Sequence, residues 1–131
     1  MGFHRFIQAA LSRKTIKIFG DGRQSRDFTF VADIVAANLQ AAERGMAGGI
    51  YNLGGGSRIM LRDALKILEG ELGLKMKLKF EKSALGDVER TAADTTRARR
   101  EFGFQPGARL AEGLSTQIAW HRKMREEGLL P

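Results

Sequence analysis

The sequence has no cysteine, which excludes disulfide staples, thiolate metal ligands and cysteine nucleophiles. Its two histidines, His4 and His121, lie near opposite ends of the chain, so a zinc site built from histidine would be hard to assemble. No apolar run approaches the roughly 18 residues a membrane span needs, because Lys and Arg interrupt every candidate segment. A membrane-embedded chain is therefore not expected, and a cytoplasmic one is. The opening stretch MGFHRFIQAA reads as an amphipathic helix rather than a secretory leader. Linkers, repeats and low-complexity segments are also missing.

What is present describes a globular protein. With 131 residues, 43% of them hydrophobic and 28% charged, the chain is long enough for one domain with a core and too short for two. Lys and Arg number 22 against 15 Asp and Glu, giving a net charge of +7 and a pI near 10.2. Such a balance suits an anionic partner, whether nucleic acid, a membrane surface or a phosphorylated small molecule, and equally suits a plain soluble surface.

Periodicity gives the elements. Phe3, Phe6, Ile7, Ala10 and Leu11 share one helical face. TIKIF (15–19) and RDFTF (26–30) read as two short strands around the turn GDGRQS. From Val31 a helical stripe follows, with Ile34, Val35, Asn38, Leu39 and Ala42, until GMAGG. GIYNL (49–53) reads as a strand running into Gly54, Gly55 and Gly56. Leu61, Ala64, Leu65, Leu68 and Leu72 then mark a helix that Gly73 stops.

KMKLKF (75–80) alternates, placing Met76, Leu78 and Phe80 on one side and three lysines on a solvated face. Asp94 stands at an N-cap position before TTRARREF, where Ala98 and Phe102 are one turn apart and Gly103 ends the helix. A last helix from about Leu110 to Glu127 turns Leu114, Ile118 and either His121 or Trp120 inward. Strands alternating with helices point to an α/β layered domain.

Few constellations carry chemistry. YNLGGGSR follows a strand and precedes a helix, but the dinucleotide fingerprint needs G-x-G-x-x-G entering the helix directly, and position 59 is Ile. The serines have no neighbouring His and Asp pattern. Tyr51, the single tyrosine, is too far from Lys66 for a Tyr-x-x-x-Lys pair. Asp87 and Glu89 project to opposite sides of an extended chain, which makes a poor acid and base pair. Arginine chemistry remains. Arg26 opens an extended segment after a glycine turn, where a guanidinium suits bidentate contact with a phosphate. A salt bridge to Asp27 or Asp33 in an ordinary charged hairpin explains it equally well.

Four segments in order, IKIFGDGRQSRDFTFVADIVAAN, GIYNLGGG with a helix, GDVERTAADTTRARREFGFQP and LAEGLSTQIAWHR, resemble the C-terminal, substrate-binding part of the extended short-chain dehydrogenase/reductases. These are the nucleotide-sugar epimerases and dehydratases. The resemblance covers essentially the whole chain and implies a small mixed-sheet and helix lobe, residues 1–131. It implies that Arg26 binds the diphosphate of a nucleotide sugar, that Phe19 and Gln24 lie along the nucleotide, and that Asp87 meets its ribose region.

The resemblance also marks departures. The family arginine of the Arg-Pro-Gly-Asp loop is replaced by Ala84, with Leu85 at the proline position; Lys82 or Arg90 is a possible substitute. The glycine-rich NAD(P) motif and the Tyr-x-x-x-Lys pair of the family's Rossmann half are not in this chain. The expectation is therefore a fragment without the catalytic half, inactive and without NAD(P) by itself. It would bind a nucleotide-diphosphate sugar and either meet the missing half or self-associate through an exposed apolar face. A small basic nucleic-acid-binding domain is the rival reading, though the basic residues are spread along the chain rather than gathered on one helix.

Overall fold

The computed structural model describes residues 2–56, 58–83 and 88–131. Among them the chain forms five helices and two small sheets in an α/β arrangement. Helix α1 spans Gly2–Leu11, strand β1 Ile16–Phe19, β2 Ser25–Asp27, α2 Val31–Arg44 and β3 Arg58–Met60. They are followed by α3 Leu61–Leu72, β4 Leu78–Glu81, α4 Thr96–Phe102 and α5 Leu110–Glu126. No helix among the described residues is long and apolar enough to cross a membrane.

The larger hydrophobic cluster is built by α1, β1, α3 and α5. Ile7 and Ala10 of α1, Ile16 and Ile18 of β1, Leu65, Leu68 and Leu72 of α3, and Leu114 and Ile118 of α5 are buried together. Their spacing of three and four on the helices and two on the strand explains the packing. Both interior helix stops expected from glycine hold: Gly73 (φ 70°) and Gly103 (φ 76°) take the left-handed conformation that closes α3 and α4. The choice left open in α5 falls on His121, which is 1% exposed, while Trp120 is 47% exposed. His121 can be buried because both ring nitrogens are bonded. Nδ1 donates to the Gln117 carbonyl at 2.8 Å, and Nε2 shares a hydrogen bond with His4 Nδ1 at 3.0 Å.

Strand pairing departs from the expected hairpin. β1 pairs in parallel with β4, with Ile16 opposite Leu78 and Phe19 opposite Glu81. β2 pairs antiparallel with β3, with Arg26 opposite Ile59. The strand expected over 26–30 stops at Asp27, and Phe30 already serves as the N-cap residue of α2. GIYNL forms no strand; its extended backbone has no ladder partner among the described residues. In KMKLKF the inward alternation fails at Phe80, which is 53% exposed although it pairs with Ile18 in the ladder with β1. The lysine side behaves as a solvated face: Lys75 pairs with Glu69 and Lys79 with Glu81.

A second, smaller cluster joins α2 and α4 through Ala37, Ala98, Phe102 and Phe104, with Ala41, Tyr51 and Leu53 against it. Here the stripe expected to be buried turns the other way. Val31, Val35 and Leu39 are exposed, Leu39 by 63%. The small face of α2, Ala37 and Ala41, is the one that fits against the two phenylalanine rings. Asp94 lies one residue before the N-cap Thr95, and its carboxylate accepts the Thr96 N–H at 3.0 Å. The Thr96 side chain, then its backbone N–H, hold the Asp94 carboxyl below the usual aspartate range.

Candidate functional site

The site grows from the end of β1. Burial of Ile16 and Ile18 fixes the strand, so the alternation leaves Phe19 about half exposed at its end. The chain then reverses through Gly20 and Gly22, both at φ 77°, a region open to glycine at little cost. Asp21 Oδ1 accepts the Arg23 N–H at 2.9 Å, and the two side chains form an exposed ion pair at 3.4 Å. Gln24 closes the loop by donating from Nε2 to the Phe19 carbonyl at 2.8 Å. The same turn supplies acceptors for the first N–H groups of α3. Gln24 O accepts from Leu61 and Gly22 O from Arg62, both at 2.9 Å. Since Met60 makes no side-chain cap, these carbonyls satisfy donors that would otherwise be orphaned.

β2 is held on both edges. Beyond β3, residues 89–91 clip onto its other side: Ser25 N–H donates to Glu89 O at 2.8 Å and Thr91 N–H to Ser25 O at 3.3 Å, with Ser25 and Arg90 paired in parallel. The result is a groove of about 430 Å³ lined in part by Phe19, Arg23, Gln24, Met60, Ser83 and Arg90. Its volume is in the range of small-molecule sites.

Of the residues singled out from the sequence, Phe19 and Gln24 are thus brought together in one groove. Arg26 is half-buried on β2, donates from Nη1 to the Ser25 carbonyl at 2.9 Å, and does not belong to the described lining. Met60 and Arg90, both paired with Ser25, border the groove. Arg26, one residue further and opposite Ile59, alternates to the other face of the ladder. Asp87 lies outside the described residues. Arg90 and Arg23 are the lining cations that the sequence did not single out as primary ligands; only the bridge to Ser25 brings Arg90 here.

The glycine turn does not fit a dinucleotide pyrophosphate. A Cβ on Gly54 would come within 2.6 Å of Asp27 Oδ2, and one on Gly55 within 2.1 Å of the Phe28 carbonyl. These glycines let the chain press against β2 and the Asp27 side chain, which occupies the space a phosphate would need. Asp27 Oδ1 is buried there without a hydrogen bond from the described residues. A shallow hollow of about 390 Å³ bordered by Asp27, Thr29, Asn52, Thr91 and Asp94 adjoins it. Among the described residues, no group of three or more His, Asp or Glu is placed to hold a metal ion.

A further network was invisible in the sequence. Tyr51 O–H donates to Glu101, and the Met46 N–H donates to the same hydroxyl at 2.7 Å. Arg97 lies over the Tyr51 ring at 4.9 Å and donates to Glu101 Oε1 at 2.9 Å and to Ile50 O at 3.2 Å. The Tyr51 hydroxyl, then Arg97, hold the Glu101 carboxyl below the ordinary glutamate range. The network ties the extended segment before the glycine turn to α4.

Comparison with known proteins agrees with this architecture. Residues 3–54 match the family model described as "NAD dependent epimerase/dehydratase family". The chain is 37% identical to the UDP-glucose 4-epimerase of Mycolicibacterium smegmatis, over 89% of this chain and 37% of that protein. It is 33% identical to the dTDP-glucose 4,6-dehydratase of Streptomyces griseus, over 97% of this chain and 40% of that protein. The crystal structure of the Bacillus cereus UDP-glucuronic acid 4-epimerase with UDP-glucuronic acid and NAD superposes with a TM-score of 0.88 at 32% identity. That alignment covers 95% of this chain and 40% of the epimerase.

The fold is of the α/β type found in the extended short-chain dehydrogenase/reductases. The chain belongs to the NAD-dependent epimerase/dehydratase family. It spans about two fifths of the length of the relatives it matches.

Proposed function

We propose that this chain is a nucleotide-diphosphate-sugar-binding lobe of an NAD-dependent sugar epimerase or dehydratase. The observation that carries the reading is the groove at the end of β1. An exposed aromatic ring, an amide locked by its own backbone bond and two guanidinium groups converge there. A ring face accepts a base by stacking, and guanidinium groups accept phosphate oxygens in planar, charge-assisted hydrogen bonds. The net charge of +7 favours such an anion.

Relatives of both reaction types, epimerase and dehydratase, support a nucleotide sugar without choosing between the reactions. The lobe's task in a complete enzyme is to hold the diphosphate and thereby orient the sugar. When bound, NAD would supply the transient oxidation of the sugar, and the groups that hold it are assigned to the family's Rossmann half rather than to the glycine turn of this chain. The outward stripe Val31, Val35 and Leu39 of α2, with exposed Ile50 nearby in sequence, is assigned to packing against that further protein or, in its absence, against a second copy.

Arg26 is tested by calorimetric titration of UDP into the chain and into its Arg26→Ala variant. If Arg26 reaches the diphosphate in the bound state, the variant loses about 1.5–3 kcal/mol, as for a charged hydrogen bond. Unchanged affinity removes Arg26 from the site.

A further inference from the structure

We propose that Arg90 is the principal phosphate-holding residue of the groove, taking over the task of the arginine that Ala84 replaces. This rests on the nucleotide-sugar reading of the same groove. Three observations lead to it.

First, the position of Arg90 is built rather than incidental. The hydrogen bonds from Ser25 to Glu89 and from Thr91 to Ser25 fix the backbone on either side of it. The parallel pairing with Ser25 then places Arg90 at the groove, on the edge of β2 opposite Met60.

Second, the two lining arginines differ in how far they are committed. Arg23 is paired with Asp21, whose carboxylate also accepts its backbone N–H. Among the described residues, by contrast, no carboxylate forms an ion pair with Arg90, although Glu89 borders the same groove. A guanidinium that keeps its fork of donors available can take two oxygens of one phosphate at once. Lys82 is no equivalent: it does not border the groove formed by the described residues.

Third, the charge of the groove is directional. Arg23 and Arg90 line the groove together with Asp21 and Glu89, so the lining carries no broad positive field. An anion is held only where a free guanidinium points. Glu89, next to Arg90, opposes the same anion. The two neighbours should therefore act with opposite sign on a phosphate and without effect on a nucleoside that lacks one.

The test is a set of titrations of the full 131-residue chain with UDP and with uridine, at low and physiological salt. Arg90→Ala is expected to weaken UDP by about tenfold or more, and Glu89→Gln to tighten it about two- to fivefold. Arg23→Ala is expected to cost less than Arg90→Ala. None of the three should shift uridine affinity. Circular dichroism of each variant checks the fold, and the exposed side chain of Arg90 makes an intact spectrum the expected result. Arg90→Lys keeps the charge but not the fork, and should restore affinity only in part.

If UDP binds Arg90→Ala as it binds the parent, or if uridine weakens as much as UDP, Arg90 is not the phosphate contact, whatever the Arg26 variant shows. If the parent chain binds neither ligand, the nucleotide reading falls and this assignment with it.

Discussion

The two hydrophobic clusters of the molecule are unequal, and the inequality tells what each is for. Around α3 and α5, ten buried residues interlock, Ile16 and Ile18 on the inner face of β1 among them. Around α2 and α4 only Ala37, Ala98, Phe102 and Phe104 are buried, while larger apolar side chains of the same α2 helix face outward. The first region is a self-sufficient core that positions the groove through Ile16, Ile18 and the start of α3. The second is half a layer, its apolar surface divided between a small inner face and an unpartnered outer one. A helix that turns Val31, Val35 and Leu39 to water has a second face to cover.

The comparison can be broken by substitution. Leu68→Ala removes a fully buried side chain from the larger cluster and is expected to cost about 2–5 kcal/mol in urea unfolding. A loss below about 1 kcal/mol would mean that the larger cluster is not the folding core. Leu39→Ser on the outer face of α2 is expected to change stability by no more than about 0.5 kcal/mol, while lowering any self-association seen in sedimentation. A cost comparable to that of Leu68→Ala would show that the face is already covered within the chain.

The smallest effect concerns pH. Glu69 accepts Lys75 Nζ at 2.8 Å and the Met76 N–H at 2.8 Å, tying the end of α3 to the segment before β4. The Lys75 bond, then that from Met76, lower its pKa from the ordinary 4.5 against the opposing pull of burial. A depressed carboxyl stabilises the fold above its unfolded pKa. This contribution should be present at neutral pH and be lost as pH falls through and below 4.5. The Tm of Glu69→Gln should therefore fall less steeply over that range than the parent's. Parallel curves would exclude Glu69 as a titrating contact.

The same inequality explains what could be read from the sequence. α1, α3, α4 and α5 were legible because their apolar positions recur at helical spacing and two of them end at glycines that adopt positive φ. Pairing of strands was not. The partner of β1 lies about sixty residues away at β4, and local alternation carries no record of it, so the glycine turn passed for a hairpin. The buried face of α2 was misread because the larger side chains suggested it. The decision belonged to Phe102 and Phe104, against which only Ala37 and Ala41 fit.

His121 rather than Trp120 turned inward because His4, at the other end of the chain, completes its hydrogen bonds. In the groove, Phe19 and Gln24 follow from local turn chemistry together with the family likeness. Arg90 stood beside Lys82 as a substitute for the missing family arginine, and the sequence could not choose between them, because the place of Arg90 depends on a bridge to Ser25 that no local pattern announces.

The central claim is that the groove at the end of β1 takes a nucleoside diphosphate. The direct measurement is calorimetric titration of the unmodified chain with UDP beside uridine at matched salt. The account predicts saturable binding of UDP, weaker binding of uridine, and a UDP affinity that falls as salt rises. Equal affinity for the two ligands, or no heat with UDP at low salt, would contradict it.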